Sequence, residues 1–183
     1  MLVTRKNPRA PMNLDSILAR MQPVPAALKA LVAGLSDDDL RWRPSENEWS
    51  IVEVLCHLAD EEVEDFRARL ELTLRGDGAP WPPINPPQAA LERNYRDQDA
   101  QKVLDRFATE RAASIAWLRT LSGANWSADH LHASLGVLRA GDLLASWAAH
   151  DALHVKQIAK RLLQLAQRDA PGFGTAYAGE WQA

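Results

Sequence analysis

Ser146-Trp147-Ala148-Ala149-His150-Asp151-Ala152-Leu153-His154-Val155-Lys156-Gln157-Ile158 is the stretch on which the reading of this chain turns. Residues four apart on an α-helix stack on one face, so His150 and His154 present two imidazoles side by side. At about 100° per residue, Leu143, Trp147, His150, His154, Ile158 and Leu165 fall in one stripe. The segment is therefore an amphipathic helix with histidines in the middle of its apolar face. Buried imidazoles need partners. Two explanations stand at this point: a metal ion held between them, or ordinary hydrogen bonds to core groups. A third histidine, His57, lies in a second amphipathic segment, Val54-Leu55-Cys56-His57-Leu58-Ala59-Asp60-Glu61. Three imidazoles on two helices, with one position left for water or substrate, make a catalytic type of metal site.

The rest of the chain reads as helices and connectors, with no strand expected. A first helix spans about Leu14 to Leu35, its apolar residues at helical spacing, and Pro23 and Pro25 kink or split it near Gln22. Ser36 to Glu48 is a connector. The second helix starts at Ser50 as N-cap, with Glu53 completing a capping box and Trp49 and Val54 placed as a hydrophobic staple. It runs to about Arg75, where Gly76 and Gly78 stop it. Its stripe is Ile51, Leu55, Leu58, Glu62 and Phe66, with His57 and Glu61 on the flank. A long connector with five prolines between Pro80 and Pro87 follows. It is long enough to let the second and third helices run parallel instead of forming a hairpin.

The third helix covers roughly Asp97 to Leu121, with Val103, Phe107, Ser114 and Leu118 on one face and Glu110 in the same stripe, its carboxylate expected to snorkel outward. A second connector, Ser122 to Ala140, carries His130 and His132, read as exposed. The fourth helix begins with Asp142 as N-cap and ends near Arg168. The expected architecture is an all-α four-helix bundle over residues 13–168. A flexible arm, 1–12, precedes it, and a tail, 169–183, follows.

Length and composition fit one globular domain: 183 residues, 46% hydrophobic and 25% charged. A net charge of −3, with basic residues scattered among acidic ones, gives no case for nucleic-acid binding. No apolar run approaches the roughly 20 residues that span a bilayer, so no membrane association is expected. The single cysteine, Cys56, excludes an internal disulfide and points to a reducing cytoplasm, with the thiol read as a small buried apolar group.

The chain resembles the DinB-like superfamily of four-helix proteins, particularly its YfiT-like metalloenzymes. The matching residues are Leu40-Arg41-Trp42-Arg43-Pro44, then Glu48-Trp49-Ser50-Ile51-Val52-Glu53-Val54-Leu55-Cys56-His57-Leu58. Gly141-Asp142-Leu143-Leu144 and the run His150-Asp151-Ala152-Leu153-His154-Val155-Lys156-Gln157-Ile158 follow in the family's order. The resemblance implies up-down-down-up topology and a homodimer. It also implies a divalent metal (zinc, nickel or iron) held by His57, His150 and His154. Members include thiol-dependent S-transferases, which use a low-molecular-weight thiol such as bacillithiol, mycothiol or glutathione, and proteins labelled metal-dependent hydrolases.

Beside the three histidines, Glu61 stands one turn beyond His57. It is a candidate acceptor for the His57 ring or a general base, against the alternative of a solvated carboxylate in the run Asp60-Glu61-Glu62. Asp151 and Gln157 are candidates for orienting ligands or substrate. The leading expectation is a metal-dependent enzyme, S-transferase or hydrolase, acting on a small molecule. A non-catalytic metal-binding stress-response or interaction protein is the alternative, and an inert metal-free bundle a third.

Overall fold

The structure, a computed structural model, describes residues 12–181; the expected arm, apart from Met12, lies outside the described residues. The first bundle helix is two pieces, α1 (Leu14–Met21) and α2 (Val24–Leu31). Pro23 has no N–H to continue the ladder, and Pro25 opens α2 in its first turn, where a missing donor costs nothing. The helix ends at Leu31, four residues before the expected Leu35. The first connector holds a short helix, α3 (Asp37–Arg41), started by a Ser36–Asp39 capping box.

The second bundle helix comprises α4 (Ile51–Glu61), a π-helical turn (Glu62–Arg67) and α5 (Ala68–Arg75). Its start is as the sequence specifies: the Glu53 carboxylate accepts from the N–H and Oγ of Ser50 at 2.8 and 2.7 Å. Gly76 closes it in the left-handed conformation, φ 65°. The long connector contains another short helix, α6 (Pro86–Glu92), capped by Asn85.

The third and fourth bundle helices are α7 (Ala100–Arg119) and α8 (Ala140–Asp169). Arg139, not Asp142, is the N-cap of α8. Asp142 is the third helical residue and accepts from the Arg139 N–H at 3.1 Å. Against expectation, the connector before α8 forms a two-stranded antiparallel hairpin, β1 (Asp129–His132) with β2 (Gly136–Arg139). Its histidines are half-buried rather than exposed: His130 stacks on Trp81 at 4.4 Å between ring centroids, and His132 lies 5.8 Å from the same ring.

Side-chain pairings give the topology. Along α4–α5 and α7 the contacts rise together, Asp60 with Arg106, Glu62 with Arg111 and Arg67 with Ser114, so these helices run parallel. Against α8 they run in opposition: Trp49 meets Arg161, His57 meets His150, and Phe66 meets Trp147. Lys29 pairs with Asp105 and Gln22 with Arg119, so α1–α2 opposes α7. The result is an up-down-down-up four-helix bundle, with the long connector as its crossover.

Two apolar clusters fill the bundle. One gathers Leu28, Leu55, Val103, Phe107, Ile158 and their neighbours, the other Leu18, Met21, Leu70, Leu118, Leu144 and Trp147. Glu62, Arg111 and Asp151 form a buried ionic cluster, and Arg111 touches both halves of the core. Its guanidinium lies over Phe107 of the first cluster and Trp147 of the second.

Candidate metal centre

His57 comes from the last turns of α4, and His150 and His154 from the middle of α8, where the antiparallel packing brings these levels together. His57 Nε2 is 3.2 Å from His150 Nε2, which is 3.0 Å from His154 Nε2. One ligand atom from each ring lies within 4.8 Å of the others, the only such group of three found among the described residues. In a tetrahedral set with bonds of about 2.0–2.1 Å, neighbouring nitrogens stand roughly 3.3–3.4 Å apart. The His57–His150 and His150–His154 separations are close to that spacing.

The rings are held from outside. Nδ1–H of His154 donates to Oε1 of Gln157 at 2.7 Å, one turn on, which leaves the Nε2 lone pair facing the cluster. Trp49 lies 5.0 Å from the His57 ring and Phe66 5.0 Å from that of His150. Burial, reinforced by neighbouring imidazoles, pushes His57 and His150 down to about 3; burial also lowers His154, with Gln157 opposing. All three are neutral lone-pair donors at physiological pH, as metal ligation requires.

Glu61 is buried, not solvated, and so are its neighbours Asp60 and Glu62. Its carboxylate is 3.7 Å from His57 Nδ1, on the side of the ring away from the other imidazoles. Burial first, then the hydrogen bond and charge of Asp65, push Glu61 up to about 8. The residue also borders a cavity of about 490 Å³ between the π-helical turn and the proline-rich connector, walled by Val63, Pro82 and Ile84.

The model of the DinB superfamily matches residues 20–158, most of the chain and all three histidines. The chain belongs to the DinB superfamily. Among solved structures, this DinB chain is similar to YfiT from Bacillus subtilis, described as a probable metal-dependent hydrolase with an unusual four-helix bundle topology. The two share 20% identity with a TM-score of 0.77, over 87% of this chain and 93% of that one. No curated protein matches by sequence.

In this DinB chain the Asp151 carboxylate is engaged by Arg111 through two hydrogen bonds of 2.6 and 2.8 Å. Arg111 also binds Glu62 twice, at 2.9 and 2.8 Å, and the Met21 carbonyl at 2.9 Å, so all five guanidinium donors are used. Trp147 Nε1 donates to the same Glu62 at 2.9 Å. Arg111 is the residue that sequence reading missed, because Glu110 occupies the stripe position in its place. Glu110 instead sits at the rim of the core, paired with Arg67. The available signal was two acids, Glu62 and Asp151, on core faces without an assigned cation.

Proposed function

We propose that this DinB protein is a metal-dependent enzyme that hydrolyses a small-molecule substrate, with His57, His150 and His154 holding one divalent cation through their Nε2 atoms. The observation that carries this reading is the convergence of three neutral imidazole nitrogens within 4.8 Å of one another, two of the pairs at 3.2 and 3.0 Å. Such a cation supplies Lewis acidity, polarising a carbonyl or lowering the pKa of a water or thiol. Zinc, nickel and iron all suit imidazole donors.

The chain's own residues do the rest. Gln157 fixes the proton of His154 on Nδ1 and so aims Nε2 inward. Trp49 and Phe66 wall the rings and exclude water from their flanks. Glu61 stands behind His57, its carboxyl group 3.7 Å from Nδ1; that position favours orienting the ring over proton abstraction from substrate. Cys56 is buried and its thiol is pushed up to about 12, so it offers no nucleophile. The description of YfiT as a probable metal-dependent hydrolase supports the hydrolytic reading over the transferase one.

The test is turnover of activated esters and amides by untagged protein loaded with zinc, nickel or iron, with and without added glutathione or bacillithiol. Metal-dependent, thiol-independent turnover that His150→Ala abolishes is the expected result. Turnover only in the presence of thiol would make the protein an S-transferase at the same site. Metal binding with no turnover of either kind would leave a non-catalytic metal-binding protein.

A further inference from the structure

On another face of α4 from the imidazoles lies a cavity of about 310 Å³, between α4, the Tyr95 turn and the first turns of α7. That volume is at the small end of ligand pockets. Its lining is charged in one sense: Arg93, Lys102 and Arg106 against the single carboxylate of Asp60. Asp60 is buried and saturated, accepting from Tyr95 Oη, Arg93 and, at 2.6 Å, Arg106 Nη1. Arg93 also donates twice to Glu64, at 2.8 and 3.0 Å.

The other two cations keep free donors. Arg106 gives only Nη1 to a described residue, and the ammonium of Lys102 has no ion-pair partner among the described residues. They are four residues apart on α7 and so share one face. Cys56 and Val103, both buried apolar groups, complete the lining beneath them. In a chain of net charge −3, a concavity with unspent guanidinium and ammonium donors over an apolar patch is a local exception.

We propose that this cavity binds a small organic anion. Its carboxylate or phosphate is taken by Lys102 and Arg106, and its short apolar body rests on Val103 and Cys56. Charge-assisted bonds from both cations fix the oxyanion, and a neutral analogue of the same shape forfeits them. The site makes no use of the three histidines, so binding does not depend on a metal.

The experiment is an amide chemical-shift titration of the metal-free protein with butanoate and, separately, inorganic phosphate, with butanamide as the neutral control. The expected result is saturable shifts confined to residues near 56–60 and 93–106, absent with butanamide. Saturation should weaken by about tenfold or more in Lys102→Glu, a substitution at an exposed position of α7. Butanoate saturating before phosphate identifies a carboxylate ligand, and the reverse order a phosphate one. No shifts by about 50 mM of either anion, equal shifts with butanamide, or unchanged titration in Lys102→Glu would overturn the proposal.

Discussion

Gln157 accepts from Nδ1 of His154 at 2.7 Å and so decides which nitrogen of that ring carries the proton. Partners of this kind are typically worth about 10–100-fold in metal affinity, because they fix tautomer and ring orientation together. Gln157→Ala is expected to weaken zinc binding by about that factor in isothermal titration while the helix content stays the same. Glu61 makes a prediction through pH. Its folded-state value of about 8 lies above the ordinary 4.5, so its contribution to stability is complete below pH 4.5 and lost as pH rises through 8. His57 and His150 act in the opposite sense: their folded values near 3 lie below 6.5, so stability is lost as pH falls from 6.5 toward 3. Above about pH 7.5 these imidazoles are largely neutral, folded or unfolded, which isolates the carboxyl. Urea unfolding of the metal-free protein should show stability declining from pH 7.5 to 8.5, and Glu61→Gln should remove the decline. A wild-type curve that is flat from pH 7.5 to 8.5 would contradict the protonated carboxyl.

Elements whose ends are set by local chemistry are the ones that sequence specifies. Ser50 and Glu53 start α4, Pro23 and Pro25 divide the first helix, and Gly76 ends α5, all within a few residues of where their side chains dictate. The hairpin, α6 and the π-helical turn were not legible. The hairpin is held by tertiary contact, with His130 stacked on Trp81 from a connector 49 positions earlier in the chain. The π-helical turn places Phe66 on both Trp147 and His150, and no local pattern announces an extra residue in a helix. Gly76 gives the element-scale test. Its φ is 65° and a Cβ there would meet nothing within 4 Å, so Gly76→Ala adds backbone strain without a clash. A loss of about 1–2 kcal/mol is expected in thermal or urea unfolding; an unchanged midpoint would mean that α5 does not end in the left-handed conformation.

Across the whole molecule, the buried ionic cluster ties all four bundle helices together: Met21 from the first, Glu62 from the second, Arg111 from the third and Asp151 from the fourth. Removing one partner of such a cluster leaves uncompensated buried charge and costs about 3–5 kcal/mol. Arg111→Met should destabilise the fold by that amount in urea unfolding, where a surface arginine would cost under about 1 kcal/mol. The bundle architecture and the three histidines were readable because helical periodicity and H-x-x-x-H spacing are local facts. Arg111 was not readable, because its partners are separated from it by 40 to 90 positions. Likewise, only the packing of α4 against α8 brings His57 within 3.2 Å of His150.

The metal centre is tested most directly by the metal content of untagged protein, purified without chelator, beside a His150→Ala, His154→Ala variant that retains its helical circular dichroism. About one equivalent of zinc, nickel or iron per chain is expected in the wild type and none in the variant. No metal in the purified wild type, and none taken up when zinc, nickel or iron is added, would contradict the three-histidine site.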